Sequence, residues 1–186
     1  MSNAALLIMD MQNGIVERFS DGSKELLANV ASAQTAAREK GIAIIYVRVA
    51  FRDGAPEANP RNKSFSALAG SGVLSENGAA TQVHESLAPV DGEITVTKRR
   101  VSAFAGSDLD VVLRSLDVDS LVLTGIATSG VVLSTTRQAA DLDFKITILS
   151  DACADADPEV HRVLMEKVFP RQATVTTTEE WTTRPA

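Results

Sequence analysis

Cysteine occurs once in this chain of 186 residues, at Cys153, so no disulfide can form within it and no cysteine cluster can hold a metal. Histidine occurs only at His84 and His161, far apart in sequence, which argues against a histidine-based zinc site. Positive charge is the minority: 18 Lys and Arg face 24 Asp and Glu, for a formal net charge of -6. Nucleic acids and anionic membranes select basic faces, so neither is expected as a main partner. No apolar run approaches the roughly 20 residues that span a bilayer. The opening MSNAALLIMDMQ has no basic region ahead of its apolar run and meets Asp10 too soon for a signal peptide. The expectation is a cytoplasmic protein without a membrane partner.

What is present is an ordinary globular balance, 45% hydrophobic and 23% charged, in a length that fits one domain over residues 1–186. Short apolar runs of strand length alternate with helical patterns. Ala4 to Met9 is continuous and apolar, as buried parallel strands are. Ser23 to Lys40 is helical, with Leu26, Val30, Ala33 and Ala37 on one stripe and Gly41 as its stop. Strands follow at Ile42–Val49, Glu93–Thr97, Ser120–Thr124, Phe144–Leu149 and, more weakly, Ala173–Thr177. Helices are expected from Ser107, with Leu109, Val112, Leu113 and Leu116 inward, and over Thr128–Leu142. Another starts at Asp157-Pro158, with Val160, Val163, Leu164 and Val168 inward. The tail from Thr178 is expected to fray. Strand-helix alternation implies an α/β fold, a parallel sheet with helices on both faces.

Residues 51–76 break this rhythm. Gly54, Pro56, Pro60, Gly70 and Gly72 mark a long excursion, with a short helix expected near Ser64–Leu68. Loops of this length either line a site or form a mobile surface insertion.

In an open parallel sheet, ligands bind beyond the carboxyl ends of the strands. Those ends deliver Asp10, Lys98, the turn Gly125-Ile126-Ala127-Thr128, and Asp151. A carboxylate, an ammonium and the unpaired N–H groups of a helix start can together manage a proton and a developing negative charge. The same residues can also be a satisfied ion pair beside an ordinary strand-to-helix turn.

Several stretches together resemble the isochorismatase-like hydrolases, also called the cysteine hydrolase family: LLIMDMQNGIV, HESLAP, TKRRVSAFAGSDLDVVL, LVLTGIATSGVVLST, LSDACAD and DPEVHRVLMEKVFPRQATV. The resemblance runs from about Ala4 to Thr178. It implies a three-layer Rossmann-like fold with six parallel strands and a homo-oligomer; a small-molecule substrate and no cofactor are expected. It also implies roles: Asp10 as general acid/base, Lys98 as the group that stabilises developing charge, and a cis peptide bond at Ile126–Ala127. The backbone N–H groups of Ala127 and Val131 match the family's oxyanion hole.

At the nucleophile the pattern departs. The family's cysteine falls six residues after the turn glycine, and Val131 stands there. Valine has no nucleophilic atom, and Cys153 follows a different strand, where a small buried hydrophobe is its expected role. Cysteine-dependent amidase chemistry needs a thiolate at that position and is not expected. The segment after strand two holds Asp53 but no histidine, so no metal is expected there. Two readings stand. In the first, Asp10 and Lys98 run a non-covalent hydrolysis, with Arg52, Arg99 and Arg100 as candidates for binding an anionic substrate or else as solvated surface charges. In the second, the chain is a non-catalytic member that binds a metabolite or serves as an assembly module.

Overall fold

The apolar run after Asn3 becomes the innermost strand because nothing in it needs water. β1 (Ala4–Met9) is buried from Ala5 onward and lies between β2 (Ala43–Val49) and β4 (Ser120–Ile126), parallel to both. With β3 (Ile94–Lys98), β5 (Lys145–Ala154) and β6 (Thr174–Thr176), these form one six-stranded parallel sheet in the order β3-β2-β1-β4-β5-β6. The computed structural model describes residues 3–19, 23–66 and 71–183.

Helices cover both faces. Alternate residues of β1 divide the core: Ala5, Leu7 and Met9 pack with Leu109 and Leu113 of α3 (Leu109–Ser115), Ala139 of α4 (Leu133–Asp141), and Leu164, Met165 and Phe169. Leu6 and Ile8 face the other way, onto Val16 of α1 (Asn13–Val16) and onto Leu26, Val30, Ala33 and Ala37 of α2 (Ser23–Glu39). The result is the expected three-layer, Rossmann-like α/β architecture. The chain leaves β1 toward one edge and returns through β4 toward the other, so the two strands diverge at a switch point, where a crevice opens beyond their carboxyl ends.

Four expectations are corrected. The strand at 144–149 does not stop there: β5 runs on to Ala154 past an irregularity opposite Leu123–Gly125, which gives Cys153 a pairing with Gly125. The helix after Asp157-Pro158 has the expected cap, with Asp157 accepting from the N–H groups of Glu159 and Val160. But α5 (Pro158–Val163) opens into a π-helical turn at Leu164–Val168. In that wider turn Phe169, five residues after buried Leu164, goes inward with Met165 in place of Val168, and Val160, near the start of α5, is exposed. On α3, Leu116 is likewise exposed beside buried Leu109 and Leu113. The tail does not fray within the described residues. α6 (Thr178–Thr183) docks Trp181 on α2, where Lys40 Nζ sits 5.2 Å from the ring centroid and donates to the carbonyls of Trp181 and Thr182. The short helix expected near Ser64–Leu68 runs into residues outside the described ones.

Candidate active site

β1 ends in a sharp turn. Asp10 has a φ of 56°, its N–H is held by the carbonyl of Val47 at 2.8 Å, and the chain then enters α1. Gln12, 1% exposed, fixes this corner. Its Nε2 donates to the carbonyls of Val49 at 3.0 Å and Thr81 at 2.9 Å, and its Oε1 accepts from the Val49 N–H at 2.8 Å. One side chain thus ties the ends of β1 and β2 to the segment before β3.

Lys98 closes β3, in register with Val49. Strand spacing puts the backbones of β3 and β1 roughly 10 Å apart, with β2 between them. The lysine side chain crosses that gap over the end of β2. Its Nζ lies 2.9 Å from Asp10 Oδ2 and donates to the carbonyl of Arg100 at 3.0 Å. Both residues are buried, and Asp10 Oδ1 has no hydrogen-bond partner among the described residues. Burial pushes the Asp10 carboxyl above the usual carboxylate range, against the pull of the Lys98 charge.

β4 supplies the third wall. Gly125 has a φ of 151°, and a Cβ there would meet the carbonyl oxygen of Met9 at 2.5 Å, so close approach of β4 to β1 requires glycine. The Ile126–Ala127 peptide bond is cis. A π-helical turn, Thr128–Val132, then leads into α4. The carbonyl of Ala127 takes the N–H groups of Gly130 and Val132. On its far side the turn is braced: Ser129 N–H donates to Asp155 Oδ2 at 2.6 Å, and Thr128 Oγ1 lies 2.8 Å from His161 Nδ1.

Asp10, Lys98, Ala127, Gly130 and Val131 line one cavity of about 190 Å³. The remaining wall is largely apolar: Gly14 and Ile15 of α1, Val49, Ala80, Val101, and Phe65, Val73 and Leu74 of the 51–76 excursion. The excursion therefore walls the site. Arg18, just beyond α1, also lines the cavity. Gln12, Arg18 and the apolar wall were not singled out from sequence. The buried glutamine had one signal, a large polar side chain three residues past the end of an uninterrupted apolar strand.

Other sequence candidates sit elsewhere. Arg52, Arg99 and Arg100 line a separate groove with Thr97, Gly106 and Asp108. They are engaged in tying the excursion down. Arg52 pairs with Glu57 at 2.5 Å, Arg99 pairs with Glu76 at 3.0 Å and reaches the carbonyl of Ala50, and Arg100 donates to the carbonyl of Glu57 at 2.8 Å. Asp151 lies within β5 rather than beyond it and accepts from the N–H and hydroxyl of Thr178, both at 2.8 Å. Cys153 is 5% exposed, its Sγ is 3.9 Å from the carbonyl of Leu123, and burial pushes its thiol up to about 12. It borders a different cavity, on the Asp155 and His161 side of the turn. Among the described residues no group of three or more His, Cys, Asp or Glu is placed to hold a metal ion, and no helix is long and apolar enough to cross a membrane.

Comparison with known proteins identifies the family and the fold. Residues 4–180 match the isochorismatase domain. The chain is 37% identical over 177 residues to YwoC, an uncharacterized isochorismatase family protein of Bacillus subtilis, covering 95% of this chain and 91% of that one. It is 32% identical over 180 residues to the ureidoacrylate amidohydrolase RutB of Stutzerimonas stutzeri, covering 85% and 72%. The crystal structure of a cysteine hydrolase from Pseudomonas syringae pv. phaseolicola superposes with a TM-score of 0.88 at 25% identity, covering 97% of this chain and 91% of that one. The chain belongs to the isochorismatase family, within the cysteine hydrolase superfamily.

Proposed function

We propose that this protein hydrolyses a small metabolite by acid-base chemistry at Asp10 and Lys98, without a covalent intermediate on cysteine. The observation that carries the reading is the buried Asp10–Lys98 contact of 2.9 Å in the wall of a cavity that still has room for a ligand. A cavity of about 190 Å³ suits a small metabolite. A raised pKa keeps part of Asp10 protonated nearer to neutrality than an exposed aspartate would be, as a general acid requires.

In this mechanism Asp10 Oδ1, the oxygen that Lys98 leaves uncommitted, delivers the proton to the substrate. An enol ether protonated on carbon becomes an oxocarbenium ion. Water adds to that cation, and the Asp10 carboxylate takes the proton the water loses. The hemiketal then breaks down to the two products, and Asp10 ends the cycle protonated as it began. Lys98 stabilises the carboxylate form between the two transfers. The backbone amides of Ala127 and Val131 hold the oxygen that departs as the hemiketal breaks down, the one step in which negative charge builds on an oxygen. Val131 occupies the nucleophile position and is buried against the cavity, so the substrate fits beside a β-branched side chain.

The test is a hydrolysis screen across vinyl ethers, amides and ureas, with Asp10→Asn as control. Turnover that is lost in Asp10→Asn while the fold is kept supports the reading. Absence of turnover across the panel, or turnover that survives in Asp10→Asn, overturns it.

A further inference from the structure

At the floor of the cavity Lys98 is already committed to Asp10 Oδ2 and to the carbonyl of Arg100. Arg18 is not so committed. Its guanidinium lies on an exposed residue at the mouth of the same cavity, and it forms no ion pair or hydrogen bond with any described residue. This contrasts with Arg52, Arg99 and Arg100, each held by a carboxylate or a carbonyl. Among the described residues, the cavity lining therefore carries an unpaired positive charge at its entrance and the Asp10–Lys98 pair at its floor. Between them the wall is apolar, formed by Ile15, Val49, Phe65 and Leu74.

The segment bearing Arg18 is closely packed. Gly14 touches Ala80 so closely that a Cβ on it would stand 2.9 Å from the Ala80 Cβ. Arg18 follows four residues later, on the turn Glu17–Phe19 that caps α1. Its position relative to the cavity is thus set by packing at the base of α1.

We infer that Arg18 is a specificity residue that anchors a carboxylate at the mouth of the cavity, so that the ligand is a small carboxylic acid with an apolar body between its anion and its reacting end. A planar guanidinium matches a carboxylate in two parallel hydrogen bonds. A phosphate dianion fits less well, because one arginine would leave part of its charge uncompensated against an apolar wall. This inference rests on the proposal that the substrate occupies the Asp10–Lys98 cavity, but it is read by binding rather than by turnover.

The experiment uses benzoate and benzamide as probes of one shape and two charges, titrated by calorimetry or ligand-observed NMR into the wild-type protein, Arg18→Ala and Arg18→Lys. Benzoate is expected to bind the wild type at least 10-fold more tightly than benzamide. Arg18→Ala should abolish that preference while benzamide affinity and Tm stay as in the wild type, and Arg18→Lys should keep part of it. A structural role would weaken both probes together. Equal binding of the two probes, no binding of either, or a benzoate preference that persists in Arg18→Ala overturns the anchor. If the anchor holds and the hydrolysis screen fails, the cavity binds carboxylates without catalysing their hydrolysis, so the two failures are told apart.

Discussion

Lys98 Nζ lies 2.9 Å from Asp10 Oδ2 although the two residues leave the sheet from strands that are not neighbours. The contact exists because the lysine side chain passes over the end of β2 and because Gln12 pins that end to β1. Burial of both partners makes the pair sensitive to loss of either one. A broken buried pair leaves a charge with neither water nor partner, at a typical cost of about 3–5 kcal/mol.

Lys98→Met should therefore destabilise the fold in a pH-dependent way. Without the ammonium, the pKa of Asp10 rises further, since burial already raises it. A carboxyl raised in the folded state holds a proton that the unfolded chain releases. Stability then falls as pH climbs from about 4, the ordinary aspartate value, through the folded pKa. Urea unfolding at pH 5 and pH 8 should show a larger deficit at pH 8. An equal deficit at both would mean that Asp10 is not the group left unpaired.

Val131→Cys places a thiol in the wall that holds Asp10 and Lys98, at the first turn after the cis peptide. There the Lys98 charge and the helix start favour the thiolate, so its pKa should fall below the roughly 8.5 of a free cysteine. Cys153, pushed up to about 12, stays protonated. Iodoacetamide should label position 131 well ahead of Cys153, as read by peptide mass spectrometry. The near-equal volumes should keep the stability change to about 1 kcal/mol. A thiol at 131 that is inert, or that titrates like a free one, would contradict an electrostatically poised site.

Much of this was legible in the sequence, for physical reasons that also explain the gaps. Buried parallel strands are apolar throughout, so β1, β2 and β4 declare themselves, and strand ends mark where Asp10, Lys98 and the Gly125 turn emerge. Periodicity does not reveal where a helix widens. The π-helical turn at Leu164–Val168 therefore brings Phe169, five residues after buried Leu164, into the core in place of the expected Val168. Nor does charge reveal its partner: Arg99 and Arg100 beside Lys98 look like substrate ligands, yet they hold the excursion through Glu76 and Glu57. Arg18 carries no local signal in the sequence, because only the fold brings it to the cavity. Trp181, alone in a polar tail, is buried by docking on α2, a tertiary contact that no local pattern announces.

A second ion pair makes an acid-stability prediction away from the site. Glu93, just before β3, accepts from Arg38 at 2.8 Å and from the Tyr46 hydroxyl at 2.8 Å. The Arg38 hydrogen bond is the main reason its carboxyl is held at about 2, well below the ordinary 4.5. A depressed carboxyl pKa stabilises the fold above the unfolded value, and that stability is lost as pH falls from 4.5 toward 2. Glu93→Gln should cost about 1 kcal/mol at pH 7, because Arg38 is partly exposed and water screens the pair, and progressively less toward pH 2, measured by chemical denaturation. A cost independent of pH would show that the role of Glu93 is not electrostatic.

The most direct test of the account compares kcat/KM for one turned-over substrate in the wild type, Cys153→Ala and Asp10→Asn, each checked for native folding. The account predicts that Cys153→Ala keeps activity within a few-fold of the wild type, while Asp10→Asn loses about 10²–10⁴-fold, the usual worth of a general acid-base group. Loss of turnover in folded Cys153→Ala, with Asp10→Asn still active, would contradict it.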